Sequence, residues 1–306
     1  MNQSSKGQIA VKKAHSSSDL IVLGVTFFSF FIMASLYFVI SYFTSEEYKA
    51  DSTDGALTVL IGLSIVLAGS LFFFLVILGV GMFMVRMQRQ TVLGNSLQVE
   101  YSDYAWLRDW ANETAADLQM PRIEIFVTQD PVMNAYAMGF IRPYIIVLNS
   151  GTIRYMTHEE IKAIVVHEMA HIKYGHTIAS VYLAPFLALP VVNVVGSWLA
   201  GFWKRRAELT ADRLALAYTG KPELVKEALI KVHVGPDVAK SMNETAQQWL
   251  QYTAERPMNR FAQTFSSHPF LVRRISQIDK WKYLVVPVSA QQPTSAPQQP
   301  APPAGR

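Results

Sequence analysis

The chain has 306 residues, a net charge of +4 and no cysteine, and 51% of its residues are hydrophobic. So modest a charge makes no case for nucleic acid, and a cysteine-free chain rules out a disulfide-stapled scaffold. The apolar residues fall in blocks, which points to a lipid bilayer as one partner.

Residues 1–19 carry Lys6, Lys12 and Lys13 and read as a cytoplasmic N-terminus. Residues 20–43 contain no charge over about 24 positions, roughly 36 Å of helix against a hydrocarbon core of about 30 Å. This block is too long for a signal-peptide core and a second block follows it, so it reads as a retained span. Residues 44–56 hold Glu46, Glu47, Asp51 and Asp54 against the single Lys49, and read as an extracytoplasmic loop. Residues 57–85 form a second charge-free block, closed by Arg86 and Arg89. Lysine and arginine mark the cytoplasmic face, so both termini and everything after residue 85 are expected there.

Residues 92–284 read as one domain, mostly α with a small β-sheet (α+β). Trp106, Trp110, Ala111, Thr114 and Leu118 recur at helical spacing. Alternation over 122–127 and the apolar run Tyr144–Leu148 predict two strands. Between them lies Asn134-Ala135-Tyr136-Ala137-Met138-Gly139, short and rich in small residues. As an edge strand it would hold an extended peptide through its free backbone groups; by residue type alone, an ordinary edge strand turning at Gly139 is the favoured reading.

Thr157 and Glu160 form a capping box that starts a helix whose surface is apolar apart from His167, Glu168 and His171. Histidines four apart share a helix face and can reach one metal ion, with Glu168 beside them to take a proton from metal-bound water. Zinc suits such a site, keeping three protein ligands and one open position. A third ligand must come from elsewhere. His176 lies five residues past His171, where the three-histidine pattern needs six with a midway glycine. Glu208 and Asp212, four apart, fit better: Glu208 as ligand, and Asp212 accepting an N–H from a ligand imidazole.

Residues 178–203 pose a topological problem, because they separate His171 from Glu208. One crossing would leave the two ligands on opposite sides of the bilayer, and two full crossings need about 40 residues. The segment, interrupted by Pro185 and Pro190, is expected to dip into the membrane and return or to pack as a broken helical hairpin, with Lys204, Arg205 and Arg206 at its exit. Residues 285–306 form a Pro/Gln-rich tail that cannot bury a core and reads as disordered.

The motifs Asn134 to Gly139, His167-Glu168-Met169-Ala170-His171, Glu208 to Asp212, and Ser267-His268-Pro269 with Arg274 resemble, in this order along residues 92–280, the HtpX-like membrane zinc proteases, relatives of the CAAX prenyl endopeptidase. The resemblance implies a zincin-type domain with one zinc on His167, His171 and Glu208, and Glu168 as general base. It further implies that Asn134, Ala135, Tyr136, Ala137 and Gly139 form a substrate strand bordering the cleft, and that His268 and Arg274 stabilise the oxyanion. The substrates implied are unfolded or misassembled polypeptides, membrane proteins among them. A narrow processing protease and a catalytically idle zinc-binding scaffold are the alternatives.

Overall fold

The computed structural model describes residues 5–44, 55–187, 190–264, 266 and 269–285. The expected extracytoplasmic loop, apart from its first and last positions, and the Pro/Gln-rich tail after residue 285 lie outside the described residues.

Helix α1 (Lys6–Ala14) is closed at its start by a capping box between Ser5 and Gln8. Two helices built on the charge-free blocks follow, α2 (Ser17–Phe43) and α3 (Gly55–Asn95), both long and apolar enough to cross a bilayer and both largely bare of protein on their surfaces. The chain then builds β1 (Ser96–Gln98), α4 (Ala105–Asp117), β2 (Ile123–Thr128), β3 (Ala135–Met138) and β4 (Tyr144–Asn149). The fold is mostly helical with one small mixed sheet in the order β1-β2-β4-β3, parallel between β2 and β4 and antiparallel at both edges. The strands expected over 122–127 and 144–148 are β2 and β4, each within one or two residues. β3 pairs with β4 on one side, Ala137 opposite Ile146, and turns its other side to the next long helix.

After α5 (Ser150–Tyr155), that helix is α6 (His158–Lys173). Its capping box forms as the sequence specifies, with the Thr157 amide donating to Glu160 Oε2 at 2.8 Å. Buried residues lie on every face of α6, which places it at the centre of the domain core with Ile161, Val165 and Met169 packed inside.

The segment between the histidines and Glu208 is a helical hairpin, α7 (His176–Leu187) running into α8 (Pro190–Thr219). Its apolar half packs against α2 and α3, with Leu183, Ala200 and Trp203 gathered round Phe30. Phe30 sits at mid-length of α2, and a side chain at Gly196 would collide with its ring at 2.2 Å. At Gly196 the hairpin meets the middle of α2, and α8 comes back against α6. Helices α9 (Pro222–Val234) and α10 (Leu271–Lys280) cover that contact.

Ahead of the first span, α1 lies in the domain core. Ala10 and Ala14 are fully buried, and the Gly7 amide donates to Asp117 Oδ2 at 2.8 Å. A side chain at Gly7 would sit 2.4 Å from the Asp117 carbonyl oxygen, so only glycine permits this approach. At the start of α2, Asp19 is clamped by three side chains from one face of α8: Arg206 (2.6 and 2.9 Å), Thr210, and Arg213 (3.4 Å).

Candidate metal centre

Helix spacing alone stacks His167 and His171, and the α6–α8 contact carries Glu208 to them. His167 Nε2 and His171 Nε2 are 3.3 Å apart, with Glu208 oxygens 3.4 Å from the first and 3.7 Å from the second. Ligands about 2.05 Å from a tetrahedral zinc stand about 3.3 Å from one another, and the two ring nitrogens stand at that spacing with a different Glu208 oxygen close to each. His167 Nδ1 faces Asp212 Oδ1 at 3.0 Å, which puts the ring proton on Nδ1 and leaves the Nε2 lone pair aimed inward. Lone pairs and carboxylate oxygens converging at these distances repel unless a cation lies between them. The donor set fits zinc.

The electrostatics of the site follow from burial and charge. Burial opposes a charge on His167, yet Asp212 and Glu208 together push its pKa up to about 10, the response of an anionic pocket that calls for a positive centre. Burial carries His171 down to about 4 despite Glu208, which keeps it a neutral donor. Asp212 is fully buried, but Arg274 and His167 hold it ionised, down at about 2. The guanidinium of Arg274 makes a forked contact with that carboxylate, 2.8 Å from Nε to Oδ2 and 2.6 Å from Nη2 to Oδ1. Its Nη2 is also 3.5 Å from Glu208 Oε2.

Glu168 points from α6 toward β3. Burial raises its pKa to about 7, with Glu208 adding to the rise and the charges of His167 and Arg274 and the Ala137 amide opposing it. The Ala137 N–H is thus an outward-facing group on the free side of β3. Asn134 is fastened at the head of the strand, its amide donating to Thr152 Oγ1 and its carbonyl accepting from the Asn149 amide. Gly139 closes the other end, where a side chain would meet Thr177 Oγ1 at 2.6 Å. Asn134, Ala135, Tyr136 and Ala137 line one wall of a cleft of about 520 Å³. His167, Glu168, His171, Glu208 and Arg274 line the other side of the same cleft.

The structure therefore brings together every described residue that the sequence singled out. His268 lies outside the described residues. Two further histidines stand at the site. The spacing of His176 from His171 argues against a ligand role. His176 stands behind His171, the two Nδ1 atoms 3.1 Å apart, and Trp203 meets its ring edge-on. Its position after Gly175, at the first residue of a helix, is the signal that it can fold back toward α6. His233, on α9, lines the cleft mouth and carries no distinguishing pattern in the sequence.

Comparison with known proteins agrees with this arrangement. The chain is similar to the plastoglobule-localized metallopeptidase 48 of Arabidopsis thaliana, 31% identical over 209 residues, covering 62% of this chain and 60% of that protein. It is also similar to a protease HtpX homolog from Fusobacterium nucleatum, 25% identical over 201 residues, covering 54% of this chain and 64% of that one. The chain thus spans about three fifths of the length of these curated relatives. A solved structure, S. mikatae Ste24p, matches 68% of this chain and 58% of its own at 18% identity, with a TM-score of 0.47. Residues 102–282, more than half of the chain, match the profile of peptidase family M48, and the protein belongs to that family.

Proposed function

We propose that the protein is a membrane-bound, zinc-dependent endopeptidase that cuts unfolded or misassembled polypeptides, membrane proteins included. The observation that carries this reading is the convergence of His167 Nε2, His171 Nε2 and a Glu208 carboxylate within 4.8 Å, beside the buried Glu168 and facing an edge strand. His167, His171 and Glu208 would hold the ion. Zinc bound there supplies a polarised water of lowered pKa and a Lewis acid for the scissile carbonyl.

The chain's own residues supply the rest. β3 orders an extended substrate through its outward backbone groups at Ala135 and Ala137, so the target bond lies across Glu168. Glu168, with a pKa raised to about 7, accepts the water's proton and returns it to the leaving amine. Asp212 fixes the His167 tautomer and Arg274 fixes Asp212. The forked contact favours a positioning role for Arg274, and transition-state charge is left to His268 and neighbouring donors at the cleft. A strand that grips backbone reads little side-chain identity, which suits a quality-control protease better than a narrow processing enzyme. A catalytically idle scaffold has no use for Glu168 in the cleft.

The bilayer is read from α2 and α3, and the basic residues at their ends support a cytoplasmic catalytic domain and cytoplasmic termini. Detergent-purified protein is expected to hydrolyse casein, to lose activity to a zinc chelator and to regain it with added zinc. Hydrolysis unchanged by the chelator, or retained by Glu168→Gln, would overturn the reading.

A further inference from the structure

Helices Glu244–Glu255 and Pro257–Gln263 leave large apolar side chains in the open: Trp249 is 63% exposed, Tyr252 57%, Met258 74% and Phe261 61%. Trp249, Tyr252 and Arg256 share one helical face, with the two rings 5.7 Å apart and the Arg256 guanidinium 5.1 Å over Tyr252. The second helix is tied to the first by Asn259 Nδ2 donating to the Thr253 carbonyl at 2.6 Å, which brings Met258, Arg260 and Phe261 alongside. Aromatic rings with arginines among them suit the boundary of a bilayer, where the ring is half in hydrocarbon and the cation meets phosphate.

The height of this pair in the fold supports the same partner. Arg260 and Gln263 share a crevice with Phe202, Arg205 and Arg206 of α8, and Arg205 donates to the Ser266 carbonyl. Arg206 grips Asp19 at the first turn of α2, the level at which that helix becomes charge-free. Trp198 and Phe202, exposed on α8, continue the apolar surface toward the bare faces of α2 and α3. The second helix of the pair therefore stands, at Arg260 and Gln263, near the level where the lipid-facing helices end.

We infer that residues 249–261 form a foot that seats in the headgroup layer of an anionic phospholipid bilayer, Trp249, Tyr252, Met258 and Phe261 entering the acyl boundary while Arg256 and Arg260 bind lipid phosphate. The inference rests on the membrane reading above and adds a third attachment to it.

Because the chain has no cysteine, single labels can be placed without background. Full-length protein would be spin-labelled at Trp249→Cys, Met258→Cys, Glu255→Cys or Phe28→Cys in nanodiscs of phosphatidylcholine with phosphatidylglycerol. Collision with oxygen and with a water-soluble nickel chelate would then be compared. Labels at 249 and 258 are expected to resemble the lipid-facing reference at 28 and to differ from the solvent reference at 255. Adding Arg256→Gln and Arg260→Gln removes two cations at ~1 kcal/mol each, which lowers the docked-to-undocked ratio by about thirtyfold. Pure phosphatidylcholine discs should act in the same direction. Nickel access at 249 and 258 equal to that at 255, with 28 still in lipid, overturns the foot and spares the membrane reading. Shielding from both reagents means that protein covers the patch, and also overturns it. Nickel access at 28 overturns the membrane reading and the foot with it.

Discussion

The substitution Asp212→Asn tests how the metal centre is held. Asp212 Oδ1 serves two donors, Arg274 Nη2 at 2.6 Å and His167 Nδ1 at 3.0 Å, while Oδ2 serves Arg274 Nε at 2.8 Å. An asparagine keeps one oxygen. If its oxygen stays toward His167, its amide meets the Arg274 Nε–H, donor against donor. If the amide turns to His167 instead, the ring proton is driven onto Nε2, where the metal lone pair is needed. Either way Arg274, 5% exposed, loses its anionic partner and is left with Glu208, 3.5 Å away, which it would draw off the metal. Breaking a buried pair on one side costs about 3–5 kcal/mol, and losing a ligand's outer hydrogen bond costs about 10–100-fold in metal affinity. Zinc affinity would be measured by chelator competition, and stability by denaturant unfolding in detergent. Asp212→Leu with Arg274→Met removes both charges and should recover much of the stability but not the affinity, because His167 stays unoriented. Wild-type affinity in Asp212→Asn, or a double variant as unstable as the single one, would refute this account.

Glu168→Gln should retain stoichiometric zinc and lose about 10²–10⁴-fold in turnover, read by metal analysis and casein hydrolysis of one preparation. Glu208→Ala should lose zinc, whereas His176→Ala, which removes only the neighbour of His171 Nδ1, should keep one zinc per chain at reduced affinity; the opposite pattern would make His176 the ligand. Ala137→Pro deletes the outward amide of β3 and should lower hydrolysis while leaving zinc content and unfolding midpoint near wild type. Loss of all three would mean the strand is structural. Asp19→Asn leaves Arg206 and Arg213 facing each other across α8 and should cost about 1–3 kcal/mol of stability, visible as a lower thermal midpoint with zinc still bound.

The metal triplet was legible because helical spacing alone places His167 and His171, and a capping box fixes where their helix starts. The hairpin over 178–203 was legible for a different reason: two ligands of one ion cannot lie across a bilayer. Arg274 and Asp212 were both named, but their mutual bond was not, since 62 residues separate them and no local pattern records a tertiary ion pair. β3 could be placed between two strands in sequence, whereas its edge position depends on the crossover that makes β2 and β4 neighbours. The burial of residues 6–14 was not legible, because three lysines and little apolar bulk give no core pattern. Their burial comes from Gly7, Ala10 and Ala14, whose small size matters only once α4 and α8 are beside them. Asp19, a lone acid at the mouth of a charge-free helix, was the visible cue to the clamp.

The seat of α1 sets where this protein can be cut for study. A fragment starting at residue 92 contains every metal ligand, yet it would leave an open socket where Ala10 and Ala14 sit and strip the Asp117 carboxylate of the Gly7 amide. The same truncation removes Asp19 and leaves Arg206, Thr210 and Arg213 without their shared acceptor on the helix that carries Glu208. Such a fragment should be prone to aggregate, and adding a synthetic peptide of residues 5–16 would restore only the socket. The seat of α1 thus ties residues 5–19 to the metal-binding domain, and a cut made after them separates two parts of one core.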